Sequence, residues 1–151
     1  MKKEKISTGL VEFVLPFDRG TEKIYFNPND VDFFTRITEM IENIGSIYEA
    51  KMTEIEAAKD GIDKIKIMES LNQEIKDRFD YAFGNKVSDG IFKYVSPHGI
   101  IADKKQHYVF YILEWILPRI AEETGKASQE TVAALEKAVK KHGVKYADKL
   151  S

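Results

Sequence analysis

Apolar positions change period along the chain, and those changes mark its elements. In Leu10-Val11-Glu12-Phe13-Val14-Leu15-Pro16-Phe17, residues Val11, Phe13, Leu15 and Phe17 share one face at period two, the spacing of a half-buried strand. Asp18-Arg19-Gly20-Thr21 has turn chemistry, and Lys23-Ile24-Tyr25-Phe26 resumes an extended pattern. A β-hairpin is predicted over roughly residues 9–26. Pro16 removes one ladder donor, which suits an edge or the end of a strand. Two strands alone are marginal in water and must lie on other elements.

The period then becomes helical. Asn27 can accept a hydrogen bond as N-cap, Pro28 suits the first helical position and Asp30 favours the positive end of the helix dipole. Val31, Phe34, Ile37, Ile41, Ile44, Tyr48, Met52 and Ile55 step by three and four. Gly45 inside this stripe permits close packing or a slight bend. The stripe stops at Lys59-Asp60-Gly61 and restarts with Ile62, Ile65, Met68, Leu71, Ile75, Phe79 and Ala82/Phe83, ending at Gly84-Asn85. An antiparallel helical hairpin explains this; one long helix through Gly61 is the alternative. Both stripes read first as core packing.

Val87–Val95 suggests a short helix capped by Ser88, with Ser96-Pro97-His98-Gly99 as loop. A third strong helix is expected from about Lys105 to Glu123, kinked or locally broken at Pro118 and closed by Gly125. The last helix is expected to start near Ser128. It shows only Val132, Leu135 and Val139 on one face, thin enough for partial detachment or ordering by a partner. The expected fold is mainly α, a helical bundle with long antiparallel helices and a small N-terminal β-hairpin (α+β). Its segments are the hairpin at 1–27, a helical domain at 28–124 and a C-terminal helix at 125–151.

Composition narrows the classes. The 151 residues suit one domain, with 43% hydrophobic and 32% charged. Lys plus Arg number 23 against 25 Asp plus Glu, a net charge of −2 that gives no reason to expect nucleic acid or a membrane surface. With no cysteine, disulfides, thiol nucleophiles and thiolate metal sites are excluded, which fits a reducing, cytoplasmic setting. The charged start Met1-Lys2-Lys3 is followed by no apolar core of secretory type. The longest apolar run, Tyr108–Leu117, spans ten residues where a membrane helix needs roughly 20.

The residues offer little catalytic chemistry. His98, His107 and His142 share no ligand spacing, and Asp103 and His107 stand four apart without a third ligand pattern. Glycines occur singly, without a phosphate-binding loop, and no nucleophile elbow is present. No cofactor, metal or enzymatic activity is therefore expected. Lys137, Lys140, Lys141 and Lys145 line one side of the last helix and could meet phosphates, although a solvated helix C-terminus explains them more simply.

The unusual element is the third helix, where Tyr108, Phe110, Tyr111 and Trp115 join five aliphatic residues. Either this helix is central in the fold, or one flank is a surface for a partner or a second copy. Tyr108, Tyr111, Ile112 and Trp115 are the candidate interface residues.

Three passages carry a family resemblance. Ile24-Tyr25-Phe26-Asn27-Pro28-Asn29-Asp30-Val31-Asp32-Phe33-Phe34 is similar to an "NPND" step into an aromatic-containing helix. Phe83-Gly84-Asn85-Lys86-Val87-Ser88-Asp89-Gly90-Ile91-Phe92 is similar to an "FG" turn leading to a short helix, with Asn85-Lys86 where an acidic residue or second Gly is frequent. Trp115-Ile116-Leu117-Pro118-Arg119-Ile120 is similar to an "L-P-x-I" helix ending. In order and spacing these resemble tail assembly chaperones from phages and prophages of Gram-positive bacteria. The resemblance implies a cytoplasmic, self-associating binding protein rather than an enzyme. Its partners would be the tape-measure protein, kept soluble during tail tube assembly, and the tail tube protein. The alternative is a small helical adaptor or regulatory protein that uses its Lys-bearing last helix.

Overall fold

The computed structural model describes residues 4–101 and 103–147, apart from the side chains of 126–128. Residues 1–3 and 148–151, the outer ends of the first and last expected segments, lie outside the described residues, as does Lys149. The protein is mainly α with a small N-terminal β-hairpin.

Strands β1 (Val11–Phe17) and β2 (Gly20–Phe26) pair antiparallel from Val11↔Phe26 to Phe17↔Gly20. Phe13 and Leu15 turn inward with Ile24 and Phe26, while Val14 faces out. Period two therefore does what the sequence requires of it. The Phe26 ring meets Phe13, Phe33 and Phe83 at 5.4, 5.2 and 5.8 Å, which seats the hairpin on the adjoining helix ends. Burying a side chain of this size contributes about 2 kcal/mol.

Helix α1 (Val31–Ala57) starts three residues later than its sequence suggests. Asp30, not Asn27, is the N-cap: its Oδ1 accepts from the Asp32 N–H at 3.0 Å. Asn27 instead closes a turn, accepting from the Asn29 N–H, with Pro28 at its second position, where a fixed φ is equally favoured. Phe33 takes the inner position expected of Phe34, which is half-buried, and Val31 is exposed.

After the break at 58–60, Asp60 caps α2 (Gly61–Phe83), accepting from the Asp63 N–H at 2.8 Å. The two helices form an antiparallel hairpin. Near its base Arg36 Nε donates to the Ala82 carbonyl, and further out Lys51 Nζ donates to Ser70 Oγ. Gly84 ends α2 at φ +80, a left-handed cap that other residues adopt only under strain. Ile62 and Ile65, expected in the stripe, are exposed: burial in α2 begins at Leu71.

The short helix α3 covers only Ser88–Ile91, and the Ser88 side chain is not its cap. The cap comes from α2. Asp80 Oδ1 accepts from the Val87 and Ser88 N–H groups at 2.9 and 2.8 Å, and Oδ2 accepts from Ser88 Oγ.

Strands β3 (Ile100–Ile101) and β4 (Gln106–His107) form a second antiparallel pair, with Lys105 in the turn at φ +52. This pairing delays the third long helix, α4, to Tyr108–Glu122. The helix is not broken at Pro118 but ends one turn later, and Gly125 lies in the link to the next helix rather than capping this one. Helix α5 (Lys126–Ala147) packs on α4 and α1. Its thin stripe is extended by Tyr146 and by Gly143, where a Cβ would come within 3.4 Å of Phe110 Cβ. All five helices and the hairpin contribute to one buried cluster. No helix among the described residues is long and apolar enough to cross a membrane.

Candidate functional site

Helix α4 is central. Val109, Phe110, Leu113, Ile116, Leu117 and Ile120 are all buried in the common core, and the helix packs chiefly on α5 and on the β3–β4 pair. The four candidate residues occupy the remaining flank, and the structure divides them. Tyr108 and Ile112 are 3% and 4% exposed and belong to the wall. The Tyr108 hydroxyl donates to the Ile91 carbonyl at 2.6 Å, and burial pushes its pKa well above the ordinary tyrosine value. Tyr111 and Trp115, one turn apart, are half-buried and reach open space.

That space is a cleft of about 430 Å³. Four chain segments converge on it: the end of β1 with Phe17 and Asp18, the loop after α3 with Tyr94, the β3–β4 turn with Asp103 and Lys104, and α4. Its size is that of a binding pocket, and its walls are mainly apolar, aromatic and aliphatic residues in equal part. Phe17 and Tyr94 meet edge to face at 5.2 Å. Trp115 rests its edge against Phe13 at 6.0 Å, and the Arg119 guanidinium lies 3.7 Å from the ring centre. Arg119 also donates to the Trp115 carbonyl, which holds its guanidinium over the ring. The Tyr94 and Tyr111 hydroxyls make no hydrogen bond among the described residues, and Asp18, Asp103 and Lys104 make no ion pair there. The cleft therefore offers apolar faces ringed by free polar groups.

The histidines, unrelated by spacing, are drawn together behind α4. The β3–β4 pairing stacks His98 on His107 with ring centres 4.1 Å apart. His98 Nδ1 lies 3.3 Å from the Tyr48 hydroxyl, and His107 Nδ1 lies 3.1 Å from the His98 carbonyl. His107 is 1% exposed and its Nε2 has no hydrogen-bond partner among the described residues. Burial, and then the neighbouring His107, push the His98 pKa down to about 4. Burial also lowers His107, against the opposing pull of the His98 and Tyr146 backbone. His142 is lowered by burial, Lys145 and Lys141, and its ring lies where a Cβ on Gly45 would come within 2.7 Å of Cε1. These rings are neutral packing groups at pH 7.

Asp103 and His107 do not share a helical face: Asp103 is exposed in a turn and His107 ends β4. Among the described residues no three His, Cys, Asp or Glu are placed to hold a metal. Lys137, Lys140, Lys141 and Lys145 are exposed on α5, with Lys145 3.9 Å from Glu49. The cleft was half legible in the sequence. The α4 residues could be found by their aromatic density, whereas Phe17, Asp18, Tyr94 and Asp103 reach it only through tertiary packing.

The fold is that of a mainly helical α+β protein with an aromatic-bearing cleft beside α4. No protein-family model, curated protein or solved structure matches the chain.

Proposed function

We propose that this chain is a tail-assembly-chaperone-like protein of a phage or prophage, acting in the bacterial cytoplasm as a binding protein rather than an enzyme. It holds the tape-measure protein soluble while the tail tube assembles, until tube subunits replace it, and it self-associates. The observation that carries this reading is the Tyr111/Trp115 cleft. A long helical partner presents apolar anchors one turn apart, and an aromatic-walled cleft with a polar rim receives such anchors by the helix-in-groove mode. The resemblance in the passages at 24–34, 83–92 and 115–120 supplies the identity of that partner. Two of these passages build the surroundings of the cleft: α4 forms its wall, and the turn at Gly84 leads into α3 and the Tyr94 loop.

Co-expression with a tape-measure segment tests the reading. The wild-type chain should keep the segment soluble and copurify with it, and Tyr111→Glu should lose both while retaining its helical circular dichroism. A segment equally insoluble with and without the wild-type chain would contradict it. The exposed lysines of α5 favour the adaptor as a second reading, and salt-sensitive binding to duplex DNA would support that one instead.

A further inference from the structure

The α1–α2 hairpin projects beyond the body that holds it. No residue from 53 to 70 is buried, and the first ten residues of α2 alone span about 15 Å. On this tip Ile62 and Ile65 are 68% and 57% exposed, one turn apart on the stretch of α2 that precedes its first buried residue, Leu71. Lys66 lies one turn from Ile62, and Glu69 one turn from Ile65. Both are exposed and make no ion pair among the described residues. The tip is therefore an amphipathic helix face without a partner, bearing two aliphatic anchors, one cation and one anion.

The cleft carries groups that complement this set. Its apolar floor reaches Tyr111 and Trp115, and its rim carries unpaired Asp18, Asp103 and Lys104. We propose that the chain self-associates head to tail. The Ile62/Ile65 face of one copy seats in the Tyr111/Trp115 cleft of the next, with Lys66 toward Asp18 and Asp103 and Glu69 toward Lys104. In this head-to-tail arrangement the contact is heterologous, and every added copy leaves one free tip and one free cleft. The tip of a second copy thus covers the cleft in the free protein, and a tape-measure helix competes with it. This inference rests on the self-association in the reading above and not on tape-measure binding.

Mixing two variants tests the geometry. Sedimentation velocity of the wild-type chain should show mass rising with concentration past the dimer. Ile65→Glu, at an exposed position, should remain folded and weaken assembly by about 30-fold or more, the loss expected for a buried anchor. The rim reversal Asp103→Lys with Lys104→Glu should do the same from the cleft side without touching the core. Neither variant should assemble alone, yet their mixture should form a one-to-one dimer and nothing larger, since one intact tip and one intact cleft remain. A monomeric wild type, assembly of either variant alone beyond that residual level, or a mixture without heterodimer would each overturn the proposal. Tape-measure solubilisation is read separately: Ile65→Glu should retain it, so failure there counts against the chaperone reading and not against the head-to-tail contact.

Discussion

On one flank of α4, Phe110 packs 5.1 Å from Tyr48, 6.3 Å from Tyr146 and 6.4 Å from His142. On the other, Tyr111 and Trp115 face the cleft. Both flanks are aromatic and both carry polar handles, yet the handles are treated differently. Behind the helix the hydroxyls are tied inside the protein: that of Tyr146 donates to the Gly45 carbonyl at 2.7 Å and that of Tyr48 meets His98, while His107 Nε2 has no partner among the described residues. At the cleft the Tyr111 and Tyr94 hydroxyls have no such bond among the described residues. Aromatic density alone thus does not distinguish core from an open cleft wall. The pairing of the tyrosine hydroxyls does so here, because a buried hydroxyl is costly to leave unpaired and one at an open cleft can bond to water.

Truncation on the two flanks should break this comparison first if it is wrong. Phe110→Ala removes a fully buried ring and should cost about 4 kcal/mol in urea denaturation. Trp115→Ala, half-buried beside water, should cost roughly 2 kcal/mol or less and act mainly on binding. Equal losses would mean that the cleft flank is core.

Acid should affect the inner flank next. His98 and His107 bind protons more weakly folded than unfolded, so the unfolded chain takes up protons first as pH falls through 6.5. Their contribution to stability is therefore constant above that pH, declines below it, and for His98 levels off beneath about 4. Denaturation midpoints of wild type and His98→Gln across pH 7 to 4 should converge as the pH drops. A parallel pair of curves would show that the His98 ring is not the titrating group. The smallest expected effect is Tyr146→Phe, which removes the second hydrogen bond to the Gly45 carbonyl, whose helical bond within α1 remains, and should cost about 1 kcal/mol by the same measurement. Tyr111→Phe, at the cleft, should change stability by less.

Local chemistry explains what could be read from the sequence. Period two gives the hairpin its face, the α1 stripe from Ile37 to Met52 is buried, Gly84 ends α2, and the polar triplet at 59–61 turns the chain back. What escaped depends on residues distant in sequence. Asp80 caps a helix that begins eight residues later, and nothing in the spacing of carboxylates announces it. His98 and His107 stack because strands of only two residues pair, too short for any periodicity. The α2 stripe fails at Ile62 and Ile65 for another reason: a helical period describes a face, not how far the facing body extends. Likewise α5 docks through Gly143 and Tyr146, whose fit against Phe110 and Gly45 is a matter of shape.

Trp115 is the only tryptophan in the 151 residues, so its fluorescence reports the cleft alone. The Ile65→Glu chain, whose cleft no second copy covers, is the form to titrate with a soluble helical segment of the tape-measure protein, following emission and acrylamide quenching. Occupation of the cleft should shift the emission to shorter wavelength and shield the ring from quencher, in step with complex formation seen by sedimentation. A complex that forms while the Trp115 emission and quenching stay unchanged would place recognition elsewhere on the molecule and contradict the account.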